Sequence, residues 1–258
     1  MKRYIQNSNP VEVPKVLRIL VWARIWIHVL RGICILSFVF PFYSPESKKR
    51  IIQEWSIRLL HIFSIELSVL GADLMESRPH LIAANHISWL DIHVINAFKP
   101  IRFVAKSEVA SWPIFGWMAK QLGTVFIRRD SARHARQVVA QLAQVLTSES
   151  VCIFPEGTST GGEAVLPFKP NLFESAIVSE VLVYPLAIRY LSKTTGERSD
   201  APAFIGDMGL LESMSNIIKT RSLVAQITIL TPYPVTQIQD ADRKQLASYC
   251  QESISNSL

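Results

Sequence analysis

The residues best placed to do chemistry are His86 and Asp91, within Asn85-His86-Ile87-Ser88-Trp89-Leu90-Asp91. An imidazole can take and return a proton near neutral pH, and a carboxylate beside it can fix its tautomer and steady the imidazolium. The stretch follows the apolar run Leu81-Ile82-Ala83-Ala84 and leads into more apolar residues, which reads as strand, turn and helix start. Ser88 is the predicted N-cap, with Asp91 about one turn inside a helix over 88–97. Residues five apart on a continuous helix face different ways. His86 must therefore precede the helix, and the chain must curl for Asp91 to reach its ring. Such a pair would activate a nucleophile. The plainer alternative is a loop histidine beside a capping acid, and spacing alone does not separate the two.

Three further motifs bear on that choice. Gly123-Thr124-Val125-Phe126-Ile127-Arg128-Arg129 and Phe154-Pro155-Glu156-Gly157-Thr158-Ser159 follow in turn, and then comes Val183-Tyr184-Pro185-Leu186-Ala187. With Asn-His-x-x-x-x-Asp at their head, these blocks strongly resemble the glycerolipid acyltransferases in motif order. They are most similar to the 1-acylglycerol-3-phosphate and related lysophospholipid acyltransferases. Each motif is weak alone, but the ordered set, over roughly residues 80–190, is specific.

The resemblance implies that a fatty acyl group passes from an acyl thioester to the free hydroxyl of a lysophospholipid. The first choice of acceptor is 1-acyl-sn-glycerol-3-phosphate, giving phosphatidic acid. His86 would be the general base and Asp91 its orienting carboxylate. No Ser or Cys sits in a nucleophile elbow, so no enzyme-bound acyl intermediate is expected. Acyl-CoA or acyl-carrier protein is the expected co-substrate, with no cofactor and no metal. His93, two residues after Asp91, finds no further ligand at metal spacing. The readings from other classes are acylation of another lysolipid such as lyso-ornithine lipid, or a non-catalytic membrane lipid-binding protein.

For substrate binding, Arg129 takes the position of the family's arginine and is the expected phosphate clamp, since its fork suits phosphate. Arg128 replaces the family's usual acid. Lys106 matches a common family lysine and extends the basic wall. The resemblance gives the Glu156-Gly157-Thr158 loop to the acceptor headgroup. A carboxylate repels phosphate, so Glu156 is expected to accept hydrogen bonds from an acceptor hydroxyl or from a basic side chain. Backbone N–H groups near Gly157 and the Thr158 hydroxyl can donate directly. Phe168-Lys169-Pro170-Asn171 resembles a Phe-Lys-x-Gly loop with Asn171 in the glycine's place, and asparagine can keep a left-handed turn.

Elements must hold these groups in place, and the composition says in what setting. The 258 residues are enough for one large core. A net charge of +6 and a positive mean hydropathy suit anionic lipid headgroups or an acidic acyl carrier. No basic helix interleaved with stacking aromatics points to nucleic acid. Cys34, Cys152 and Cys250 are odd in number and widely spaced, without a disulfide or metal pattern, which fits a reducing cytosolic face.

From Val16 to Tyr43 the chain is strongly apolar, and Ile25 to Tyr43 would span about 28 Å as a helix. Arg31 near the middle of the run favours a helix lying in the membrane interface over a spanning one. Pro45-Glu46 opens a second helix carrying Lys48, Lys49 and Arg50. Residues 1–63 are thus predicted to be a membrane-docking helical segment, and 64–258 the acyltransferase catalytic domain on the cytoplasmic face of the cell membrane. In the second part strands are predicted at 65–70, 81–84, 102–105, 124–127, 151–154, 181–188 and 224–230. Helices are predicted at 88–97, 107–121 (interrupted by Pro113), 131–146, 171–179, 210–219 and 238–253. This alternation predicts an α/β fold with a mixed, mostly parallel sheet flanked by helices.

Overall fold

The computed structural model describes residues 13–127, 132–235 and 242–258. Two antiparallel helices come first. Helix α1 (Lys15–Phe38) starts after Pro14, whose fixed φ suits a helix entry. Helix α2 (Pro45–Ile62) has proline in its first turn, and the Ser44 side chain accepts from the Ser47 N–H at 3.3 Å. Strand β1 (Ile65–Leu70) follows, then β2 (Leu81–Ala84), α3 (Leu90–Phe98) and β3 (Arg102–Lys106). After these come α4 (Phe115–Gln121), β4 (Val125–Ile127), α5 (Ala132–Leu146) and β5 (Val151–Ile153). The chain closes with α6 (Glu174–Val178), β6 (Val183–Ser192), α7 (Leu210–Thr220), β7 (Leu223–Ile229) and α8 (Arg243–Ser255).

Among the described residues seven strands form one sheet, in the order β1-β7-β6-β2-β5-β3-β4. Only β6 and β7 pair antiparallel among them; the other neighbours run parallel. The mixed, mostly parallel sheet flanked by helices is the fold class expected.

Strand β2 lies near the middle, between β5 and β6, and both its faces are covered. Leu81 and Ala83 join the core beneath α5, α6 and α8, while Ile82 and Ala84 join the core beneath α1, α2, α3 and α7. That is why β2 reads as an unbroken apolar run. Strand β7 alternates instead, with Leu223, Ala225, Ile227 and Ile229 buried and the residues between them half-buried.

The N-terminal helices share the second of these cores. Val21, Ile25 and Val29 of α1 and Leu59 and Leu60 of α2 are buried in it beside Val94 and Ile95 of α3. The Gln53 side chain on α2 donates to the carbonyls of Ala97 and Phe98, at 3.1 and 2.8 Å, where α3 ends with unpaired acceptors. A Gln53 hydrogen-bond fork thus fastens the hairpin to the helix that carries Asp91.

Several boundaries differ from expectation for physical reasons. Helix α3 starts at Leu90 with Trp89, not Ser88, at its cap position. The N–H groups of Ile87 and Ser88 both donate to Asp91, so the chain is still turning at Ser88. Asp91 consequently lies at the very start of the helix. The segment over 107–121 divides into a short tight helix at Ser107–Ser111 and α4, with Pro113 between. Asn171 lies in a short helix, Pro170–Phe173, and is absent from the residues with positive φ. The left-handed turn foreseen there does not form, because Pro170 opens a helical turn instead.

Candidate active site

The parallel strands β2, β3, β4 and β5 all end at one edge of the sheet, where open α/β sheets place their ligands. Asn85 is the first residue past β2. Its side-chain amide donates to the Ile188 carbonyl at 3.0 Å and accepts from the Ile188 N–H at 2.7 Å. A side chain here replaces the ladder's last backbone pair, so the main chain can leave the sheet toward His86 without orphaning β6.

His86 and Asp91 meet. The ring Nδ1 is 2.8 Å from Asp91 Oδ2. An ionised carboxylate only accepts, so Nδ1 carries the hydrogen and Nε2 the lone pair. The ring stacks on Phe154, centroids 4.1 Å apart at 18°, and its side chain remains 22% exposed. A reactant can therefore reach Nε2.

Asp91 is wholly buried, and each of its hydrogen-bond partners is a donor. Oδ2 also accepts from the Ile87 and Ser88 N–H groups at 2.7 and 2.9 Å, and Oδ1 accepts from the Tyr190 hydroxyl at 2.7 Å. A buried carboxylate without such partners would cost several kcal/mol. With them it is a fixed negative charge aimed at the imidazole.

Glu156 is also buried. Its Oε1 accepts from the His86 N–H at 2.7 Å and its Oε2 from the Leu166 N–H at 2.9 Å. Burial raises its pKa above the ordinary carboxylate value, while the hydrogen bonds from Leu166 and His86 oppose that rise. In this structure its two oxygens brace the backbone around His86. Gly157 follows in the left-handed region at φ +76°, closing a tight turn in which its N–H meets the Phe154 carbonyl at 3.1 Å. Thr158 is exposed at the same edge.

Lys106 is the exposed last residue of β3, two strands from β2 in the sheet. Adjacent strands are about 4.8 Å apart, which sets its backbone roughly 10 Å across the edge from β2. Strand β4 ends at Ile127, and Arg128 and the expected clamp, Arg129, lie outside the described residues. His93 turns away from the pair, packing between Trp55 and Trp89, and burial pushes its pKa down to about 3. It packs as a half-buried histidine among aromatic rings.

Three participants went unassigned from sequence. Tyr190 holds Asp91, and Asn85 pins the start of the loop. Thr160 donates to the His86 carbonyl, at 2.8 Å through its N–H and 3.3 Å through its hydroxyl. Only Asn85 carried a usable sign, as a polar residue ending an apolar strand.

The acyltransferase family model matches residues 66–189, which run from β1 through the pair and the Glu156 loop into β6. A lyso-ornithine lipid O-acyltransferase of Pseudomonas aeruginosa is 36% identical over 208 residues, covering 80% of this chain and 78% of that protein. The chain belongs to the acyltransferase family. A 1-acyl-sn-glycerol-3-phosphate acyltransferase of Neisseria meningitidis serogroup B is 34% identical to this acyltransferase, covering 81% of each chain. The crystal structure of a 1-acyl-sn-glycerophosphate acyltransferase from Thermotoga maritima shares the fold, with a TM-score of 0.67 at 20% identity over 94% of this chain and 93% of that one. In an acyltransferase, a histidine with its lone pair outward and its other nitrogen on a buried carboxylate is equipped to deprotonate an attacking hydroxyl.

Proposed function

We propose that this acyltransferase moves a fatty acyl group from an acyl thioester, acyl-CoA or acyl-carrier protein, to the free hydroxyl of a lysolipid at a membrane surface. The observation that carries the reading is the 2.8 Å contact between His86 Nδ1 and a fully buried, fully satisfied Asp91. His86 Nε2 takes the hydroxyl proton as the oxygen bonds to the thioester carbonyl carbon. The carbon–sulfur bond then breaks, the ester carbonyl re-forms, and the imidazolium returns its proton to the departing thiolate. Asp91 stabilises the imidazolium throughout. The step needs no further reactant.

The acceptor read first is 1-acyl-sn-glycerol-3-phosphate, held by Arg129 and Lys106 with N–H groups of the Gly157 turn and the Thr158 hydroxyl. A lyso-ornithine lipid is the second reading. It is favoured by the relative of that name at 36% identity and by Arg128 standing where an acid is usual. Direct competition between the two acceptors, read by mass spectrometry of the acylated lipid products, separates them. If the phosphate lipid is the substrate, Arg129→Ala lowers kcat/KM for it by about 10–100-fold, the loss of a charge-assisted contact of roughly 1.5–3 kcal/mol. The acyl-donor KM stays within about twofold. A wild-type preference for lyso-ornithine lipid would retire the clamp and leave the His86 chemistry in place.

Helix α1 is long and apolar enough to cross a membrane by length and composition. Its inner stripe, Val21, Ile25, Val29 and Leu36, is buried against the body, and its outer stripe, Val16, Leu20, Ile27, Leu30 and Phe38, is exposed. Arg24 and Arg31 are exposed as well. This two-sided helix supports docking in the plane of the membrane rather than spanning. The intact protein is expected to float with liposomes and to release with detergent. Recovery wholly in the soluble fraction without detergent would overturn the docking reading.

A further inference from the structure

Asp91 divides its two oxygens unequally. Oδ2 takes three N–H donors, from His86, Ile87 and Ser88, whereas Oδ1 has one partner, the Tyr190 hydroxyl at 2.7 Å. Tyr190 lies on β6, ninety-nine residues along the chain, and is 1% exposed. Its distance is that of a hydroxyl donating to an anion. The remaining groups on Asp91 are backbone or the base itself. Tyr190 is therefore the side chain through which the carboxylate can be altered without touching His86.

We infer that Tyr190 is a positioning residue for acyl transfer: by holding Oδ1, its phenol fixes the Asp91 carboxylate and sets how strongly that carboxylate draws the proton of His86. The inference rests on His86 being the general base. A hydrogen bond to a carboxylate spreads its charge and weakens its pull on a neighbouring cation. Without the phenol, Asp91 holds the imidazolium more tightly, and His86 gives up its proton only at higher pH. Burial, with the adjacent Asp91 charge, pushes the phenol's own pKa well above its usual value, so it stays a donor. The other titratable groups around the pair are Cys152 on β5 and Glu156 after it. Burial pushes the Cys152 thiol well up, so it remains neutral. Glu156 is also raised, and its carboxyl carbon gives a separate NMR signal by which to follow it.

The experiment compares the full-length wild type, Tyr190→Phe, and protein carrying 3-fluorotyrosine at position 190, whose more acidic phenol is a stronger donor of nearly the same shape. The pH dependence of kcat/KM with acyl-CoA and lysophosphatidic acid, and the imidazole titration of His86 by ¹⁵N NMR, are read on each. Tyr190→Phe moves the acid limb and the NMR titration upward by about 0.5–1 pH unit, and 3-fluorotyrosine moves both downward. A uniform drop in kcat/KM with both titrations unmoved makes Tyr190 a packing residue and overturns the inference. If Tyr190→Phe fails to fold, the fluorinated protein decides by the sign of its shift. If no form turns over with either lysophosphatidic acid or lyso-ornithine lipid, the acyl-transfer reading has failed, and the NMR titrations still decide whether Tyr190 tunes His86.

Discussion

Replacing His86 with alanine is expected to reduce kcat by at least about 10²-fold, with acyl-donor binding and thermal stability close to wild type. The ring is partly exposed, and its contacts are the Phe154 stack and the Asp91 bond. Asp91 loses one donor and keeps three, so no bare charge is left in the core. The backbone bond from residue 86 to Glu156 survives any substitution except proline. Loss of turnover therefore reports on proton transfer and not on collapse of the loop. Near-normal thiol release from a folded His86→Ala protein would falsify the general-base mechanism.

The second large effect is expected from Asp91→Asn, and its cause differs from a simple change of tautomer. The N–H groups of Ile87 and Ser88 both point at the site of Oδ2. They hold the asparagine oxygen there and turn its NH₂ toward Tyr190, whose hydroxyl can accept as well as donate. His86 keeps its hydrogen on Nδ1. What vanishes is the negative charge facing the imidazolium, worth about 4 kcal/mol at an effective dielectric near 20. That corresponds to a rate loss on the order of 10³-fold. The imidazole also becomes less basic, so the acid limb of kcat/KM moves down in pH, opposite to the shift expected for Tyr190→Phe. A pH–rate series on the two variants checks both signs. A plateau rate within tenfold of wild type would show that the charge is dispensable.

Much of the fold was legible because its signals are local. All seven strands were read from short apolar runs, and β2 in particular from four consecutive buried residues. The meeting of His86 and Asp91 was legible because the two lie within one turn of chain. Three features escaped. The Glu156 carboxylate braces His86 from seventy residues away through a backbone N–H, and backbone donors leave no trace in residue identity. Tyr190 reaches Asp91 only because β6 lies beside β2, and its tyrosine looks like any aromatic in a buried strand. The start of α3 was misplaced because Ser88 and Asp91 form a capping pattern while Asp91 spends its carboxylate on the turn and the histidine.

The Gln53 fork has a mechanical consequence. Because it ties α2 to the last carbonyls of α3, the hairpin cannot pivot without stranding two acceptors at the end of the helix that carries Asp91. The nine residues of α3 span about 13 Å, a stiff strut between that tether and the reacting nitrogen. The tether and the shared core of α1, α2 and α3 thereby couple the position of the hairpin to that of the Asp91–His86 pair. Under the docking proposed for α1, this coupling would hold His86 at a set height over the surface on which the outer stripe rests.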